Sequence, residues 1–124
     1  MQNQNNLEET VKGYIQAIED RDLETCVGLY HDDAQIKFHL GHYAGRQDIE
    51  RWHKDRFDAD MHIVRVDSIK TDGDTVVVKG AATSKKLKAW KINDLAGSMT
   101  ISFQDGKIKE VKFGMRLYNP LEGW

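Results

Sequence analysis

Residues 30–43, YHDDAQIKFHLGHY, bring two adjacent aspartates, Asp32 and Asp33, together with three histidines, His31, His39 and His42. Carboxylates and imidazoles at this density suit either acid-base work or metal ligation. A metal needs three or four converging ligands. Only His39 and His42 stand at a suggestive spacing, and adding Asp32 or Asp33 would require the chain to fold back over a strand, so no metal site is expected. The aspartates fit better as short acceptors for backbone amides where a helix ends and a strand begins. His31 and His42 are expected on the surface, and His39, out of phase with Ile36 and Phe38, on the exterior or a pocket rim. His62 opens a strand, and its role stays open.

His53 is different, because it sits beside Trp52 on the apolar face of an amphipathic segment. An imidazole near its unperturbed pKa of about 6.5 can serve as general acid or base at neutral pH. The plainer reading is a buried histidine hydrogen-bonded to backbone. Cys26, the single cysteine, has no partner for an intrachain disulfide and falls on the apolar side of a short helix, where a packed thiol is the commoner reading.

The elements that must position these groups are readable from periodicity. Leu7, Val11, Tyr14, Ile15 and Ile18 draw one stripe down a first helix, with residues 1–6 expected to fray. Asp22 is a good N-cap for a second, short helix, LETCVGLY, with Glu24 in its first turn. The period then shortens to two through Ala34, Ile36 and Phe38, which predicts a strand. A Gly-bounded loop, LGHYAG, leads to a third helix, RQDIERWHKDRF, whose Ile49, Trp52, His53, Arg56 and Phe57 share a face while Glu50 and Lys54 pair elsewhere. From Met61 onward the pattern is strands: MHIVRVDSIK, the turn TDGD, TVVVKG continuing or bending through AATSKKLKAWK, INDLAGSMTISF, the turn QDGK, and IKEVKFGMRLY. Helices followed by an antiparallel meander predict an α+β domain. Pro120 lies after the last strand and interrupts nothing.

The 124 residues fit one domain with a single modest core. Eighteen Lys and Arg stand against twenty Asp and Glu without a block of either sign, which argues against nucleic acid and anionic membrane surfaces as partners. The polar start MQNQNNLEET is not a secretory leader, and no apolar run reaches the roughly 18 residues of a membrane span. A soluble, cytoplasmic protein is expected.

In order along the chain, VKGYIQAIEDRDLETCVGLYHDDAQIKF, GRQDIERWHKDRF, VDSIKTDGDTVVVKG and ISFQDGKIKEVKF resemble the motifs of the nuclear transport factor 2-like superfamily. The likeness is to its SnoaL-like and ketosteroid-isomerase-like branch and covers about Leu7 to Leu117. It implies a cystatin-like cone, in which a strongly curved mixed β-sheet and three N-terminal helices enclose a pocket. It also implies a homodimer through the outer sheet face. The fold hosts enzymes, ligand binders and association modules alike, so it names no activity.

Position by position, the resemblance places the isomerases' oxyanion-donor tyrosine at Tyr14, but their aspartate base falls on Phe38 and their second acid near Met99. A tyrosine without a base does not move a carbon-bound proton. The Asp-Arg-Asp set of limonene epoxide hydrolases falls near Gly80, Ala82 and Phe113. The aspartate and histidine of SnoaL-like cyclases fall among Met99, Ile101, Val111, Phe113 and Met115. No carboxylate stands at any of these positions, unless the strand register slips by one and turns Lys79, Glu110 or Lys112 inward.

Two readings follow. In the first, the cone is a pocket for an apolar or aromatic molecule, lined by Ile18, Ile36, Phe38, Trp52, Phe57, Val78, Met99, Phe113 and Met115. If it is catalytic, Tyr14 is the hydrogen-bond donor and His53 the acid or base of a cofactor-independent isomerase, cyclase or dehydratase. In the second, the chain is a non-catalytic binding or dimerising module whose cone is its core. Trp90 and Trp124 either cap the pocket or fill an interface.

Overall fold

In a computed structural model that describes residues 4–38, 41–91, 94–117 and 121–122, the stripe Leu7, Val11, Tyr14 and Ile18 is wound into α1 (Gln4–Glu19) and buried. The helix begins at residue 4 rather than after residue 6, and the Thr10 hydroxyl donates to the Asn6 carbonyl at 3.0 Å. Asp22 caps α2 (Leu23–Gly28) as expected: its carboxylate accepts from the Thr25 amide at 3.2 Å and from the Thr25 hydroxyl at 2.7 Å. That pair satisfies one of the orphan donors at the helix start.

The next stretch departs from expectation. α2 stops at Gly28, and Tyr30 already begins β1 (Tyr30–Phe38). The acidic pair therefore lies inside the strand, not at a helix end. A register break against the neighbouring strand between Tyr30 and Gln35 leaves both carboxylates exposed, Asp32 on Arg46 at 3.1 Å and Asp33 on Lys109 at 2.5 Å. The expected loop at 40–45 contains β2 (Gly41–Ala44), antiparallel to β1. Gly45, at φ 86°, a backbone angle that glycine adopts without strain, then opens α3 (Arg46–Asp58).

Both Asp-Gly turns form. Gly73 at φ 62° joins β3 (His62–Asp72) to β4 (Thr75–Thr83), and Asp105 and Gly106 at φ 55° and 80° join β5 (Leu95–Gln104) to β6 (Lys107–Leu117). Between β4 and β5 the chain inserts an element that the alternating pattern did not announce, α4 (Lys85–Ala89), whose first turn is capped by Ser84 accepting from the Leu87 amide at 3.4 Å.

The sheet runs β2-β1-β6-β5-β4-β3, with β7 (Leu121–Glu122) paired on β6, and β1 beside β6 is its parallel seam. Two register breaks in β3 sharpen its twist against β4. There Gly80 is obligatory, since a Cβ would collide with the Arg65 carbonyl oxygen. The curved mixed sheet and N-terminal helices are the architecture the resemblance implied, with α4 as a fourth helix.

Strand parity decides which side chains meet the helices. Val76, Val78, Met99, Ile101, Ile108 and Val111 are at most 1% exposed and pack with the faces of α1 and α3 into one core. Lys79 and Lys112 are exposed, and Glu110 pairs with Lys37 at 3.1 Å. The one-residue slip that would turn them inward does not occur.

Candidate functional site

α1, β1 and α3 bring three polar rings together in the core. Tyr14 and His53 are 0% exposed and Tyr30 2%. His53 Nδ1 lies 2.8 Å from the Ile49 carbonyl, which only accepts, so Nδ1 carries the proton and Nε2 is the acceptor. The Tyr14 hydroxyl, 2.8 Å from Nε2, must donate to it. Its oxygen is then left to accept from the Tyr30 hydroxyl, with which it makes a short hydrogen bond.

The result is a directed chain, Tyr30 to Tyr14 to His53 to the Ile49 carbonyl, in which every hydroxyl and ring N–H has a partner. Burial holds the Tyr14 hydroxyl well above the ordinary phenol range, and neighbouring Tyr30 adds to it. Burial raises Tyr30 too, against the lowering effect of its bond to Tyr14. Burial also brings His53 down to about 4, opposed by the Ile49 carbonyl and helped by the Arg56 charge. At neutral pH this is an uncharged, satisfied network.

Trp52 separates that network from open space. Its ring meets His53 edge-on at 5.0 Å and stacks on Phe113 at 5.0 Å, while Phe38 meets Phe113 edge-on at 5.9 Å. These three rings form one wall of a cavity of about 480 Å³. Tyr43, Arg56, Ala59 and Met61 come from β2, α3 and the turn after it. Ala82, Thr83, Ser84, Lys86, Leu87, Trp90 and Leu95 come from the end of β4, from α4 and its flanks, and from the start of β5. α4 thus roofs the cavity, and Trp90, 62% exposed, stands at its mouth.

The polar groups of this wall are few and incompletely matched. Trp52 Nε1 and Thr83 Oγ1 are buried with no hydrogen-bond partner among the described residues. The Arg56 guanidinium rests 5.3 Å over Trp52 and 5.6 Å over Phe38. Among the described residues no aspartate, glutamate or histidine lines the cavity.

Of the lining residues expected from sequence, Phe38, Trp52 and Phe113 line this cavity. Ile18, Ile36, Val78 and Met99 are packed into the core at 2% exposure or less. Phe57 is partly buried under Arg21, whose guanidinium lies 5.3 Å above its ring. Met115 is described in its backbone alone, paired with Gly97. Tyr14 and His53 come together, as an enclosed pair behind Trp52. Tyr30, Thr83 and the α4 residues were not anticipated. Tyr30 has the inward parity of Ala34 and Ile36, and SKKLKA reads as a serine cap followed by good helix formers.

The remaining candidates have structural partners. His62 Nδ1 is 3.1 Å from Glu19 and its Nε2 3.0 Å from Asp60, while Glu19 also accepts the Ile63 amide at 2.8 Å, which ties the end of α1 to β3. His42 is exposed and bonded to Gln35 at 2.8 Å, and His31 sits 2.7 Å from Asp33. Burial, aided by the Asp22 charge, pushes the Cys26 thiol up to about 12, the state of an inert packed thiol. His39 and Trp124 lie outside the described residues. Among the described residues no three histidine, cysteine or acidic side chains converge as a metal site, and no helix is long and apolar enough to cross a membrane.

With this geometry in hand, comparison places the chain among known proteins. The model of a SnoaL-like domain matches residues 11–111. No curated protein matches. Among solved structures, the chain is similar to SalBIII, an epoxide hydrolase/cyclase-like enzyme in pyran ring formation in the polyether salinomycin. The two share 18% identity and a TM-score of 0.80 over 91% of this chain and 92% of that one. It is similar to a candidate ketosteroid isomerase from Kribbella flavida, at 19% identity and TM-score 0.76 over 96% and 84% of the two chains. It is also similar to a de novo designed protein with a curved β-sheet, at 11% identity and TM-score 0.73 over 90% and 86%. At such identities the likeness speaks for the fold, which a designed chain has as readily as an enzyme.

Proposed function

The chain belongs to the SnoaL-like domain family and carries its small-molecule-binding, nuclear transport factor 2-like fold, and from that premise we propose that it binds an apolar or aromatic small molecule against Phe38, Trp52 and Phe113. The observation that carries this reading is the cavity itself. At about 480 Å³ it lies within the range of ligand sites, and its walls are aromatic rings and aliphatic side chains with a handful of polar atoms.

Acid-base catalysis by Tyr14 and His53 draws less support. Their protons are committed to one another and to Ile49, and Trp52 stands between them and the cavity. A histidine brought down to about 4 is also a weak base for work at neutral pH. The reading is therefore of a binder whose residues orient and desolvate the ligand.

The test is titration with the neutral fluorophore N-phenyl-1-naphthylamine, followed by its emission and by nitrogen-15 NMR of the indole N–H groups. Saturable binding of one molecule per chain, with shifts at the Trp52 and Trp90 indoles and the α4 amides, is expected. Absence of binding, or shifts confined to the outer sheet face, would overturn the proposal.

A further inference from the structure

The cavity is apolar in its rings but not neutral in its charges. Arg56 and Lys86 line it, and among the described residues no carboxylate does. Arg56 is the more informative, because it has no acidic partner within ion-pair distance among the described residues, although the helix it belongs to places Asp48 on Arg51 at 2.9 Å and Glu50 on Lys54 at 3.1 Å. Its guanidinium is held by two aromatic faces, and among the described residues no carboxylate claims its in-plane N–H donors. The roof repeats the sign. Lys85, Lys86 and Lys88 lie on α4 and Lys91 follows it, with no acid between Ser84 and Lys91. Asp60, in the turn after α3, is occupied by Arg21 at 3.3 Å and His62 at 3.0 Å.

A partly buried cation packed on aromatic rings in a concave wall attracts an oxyanion more strongly than one on an open surface, since it is screened less. We propose that the ligand is an organic anion: an aromatic or alicyclic body seated on Trp52 and Phe113, carrying one carboxylate or equivalent oxyanion that pairs with Arg56. This rests on the binding reading above and names the chemical class it takes.

The experiment compares 2-naphthoate with its neutral isostere 2-naphthamide, each displacing N-phenyl-1-naphthylamine from the intact chain at pH 7.5. A charge-assisted pair with Arg56 gives 2-naphthoate an advantage of about tenfold or more. Arg56→Gln collapses that ratio toward one, whereas Arg51→Gln, an exposed arginine on the opposite side of the same helix, leaves it intact. Equal affinities in the unmodified chain, a preference that survives Arg56→Gln, or displacement by neither compound would overturn the anion proposal while the binding of the neutral probe still stands. Failure of the probe itself to bind overturns both.

Discussion

Two aromatic clusters lie back to back across Trp52, and they differ in how completely their polar atoms are matched. Behind Trp52, the Tyr30–Tyr14–His53 chain ends on a backbone carbonyl and leaves no proton over. In front of it, the wall of Phe38, Trp52 and Phe113 carries an arginine that has no acidic partner among the described residues. Titratable side chains in a core do not by themselves mark a site. Saturated hydrogen bonds make a structural strut, whereas the proposed binding site rests on a cation beside open volume.

The comparison breaks most visibly at Tyr14. Tyr14→Phe removes the donor to His53 and the acceptor of Tyr30 together, leaving two buried groups unmet, so urea denaturation is expected to show a loss of about 2–5 kcal/mol. Binding of the neutral probe by the folded variant should move less than about twofold, because Tyr14 is not part of the cavity wall. A stable variant that has lost the ligand would reverse the two roles.

Next in size is the pH dependence of His53. Its folded pKa is depressed from 6.5 to about 4. Above pH 6.5 the ring is neutral whether the chain is folded or not, and its contribution is fully present. As pH falls from 6.5 toward 4 the unfolded state takes up a proton that the folded state refuses, so stability declines by about 3 kcal/mol and then levels off. NMR titration of the native imidazole should show no protonation above about pH 5. An inflection near 6.5 would mean that the ring is not enclosed. The smallest effect is that of Tyr30→Phe, which deletes only the terminal donor of the chain and is expected to lower stability by about 1 kcal/mol in the same denaturation assay.

The sequence made the scaffold legible because its signals are local. The apolar stripe from Leu7 to Ile18, the Asp22 cap and the two Asp-Gly turns each depend on neighbours a few positions away. Parity also identified which side of each strand faces inward, from Val78 to Val111. It did not separate residues that fill the core, such as Met99 and Ile36, from those that face open volume, such as Phe38 and Phe113. That distinction depends on how far a helix stands from the sheet, which no periodicity encodes. α4 was hidden because a five-residue helix is too short to display a period. Tyr30 was hidden because it sits where one period gives way to the other.

The parallel seam between β1 and β6 bears on how the protein is made. Asp33 and Lys109, which meet across it, are 76 positions apart, and among the described residues β1 and β2 join the remaining strands through β6 alone. A ribosome releases α1, α2, β1 and β2 well before the strand that will hold β1 in register. The hairpins from β3 to β6 close over short distances, so they can assemble as they emerge, while the amino-terminal strand pair waits with an unpaired edge. Phe38 and Phe113 face each other across the same seam. The wall of Phe38, Trp52 and Phe113 is thus among the last parts of the molecule to exist, complete only when nearly all of the chain has been synthesised.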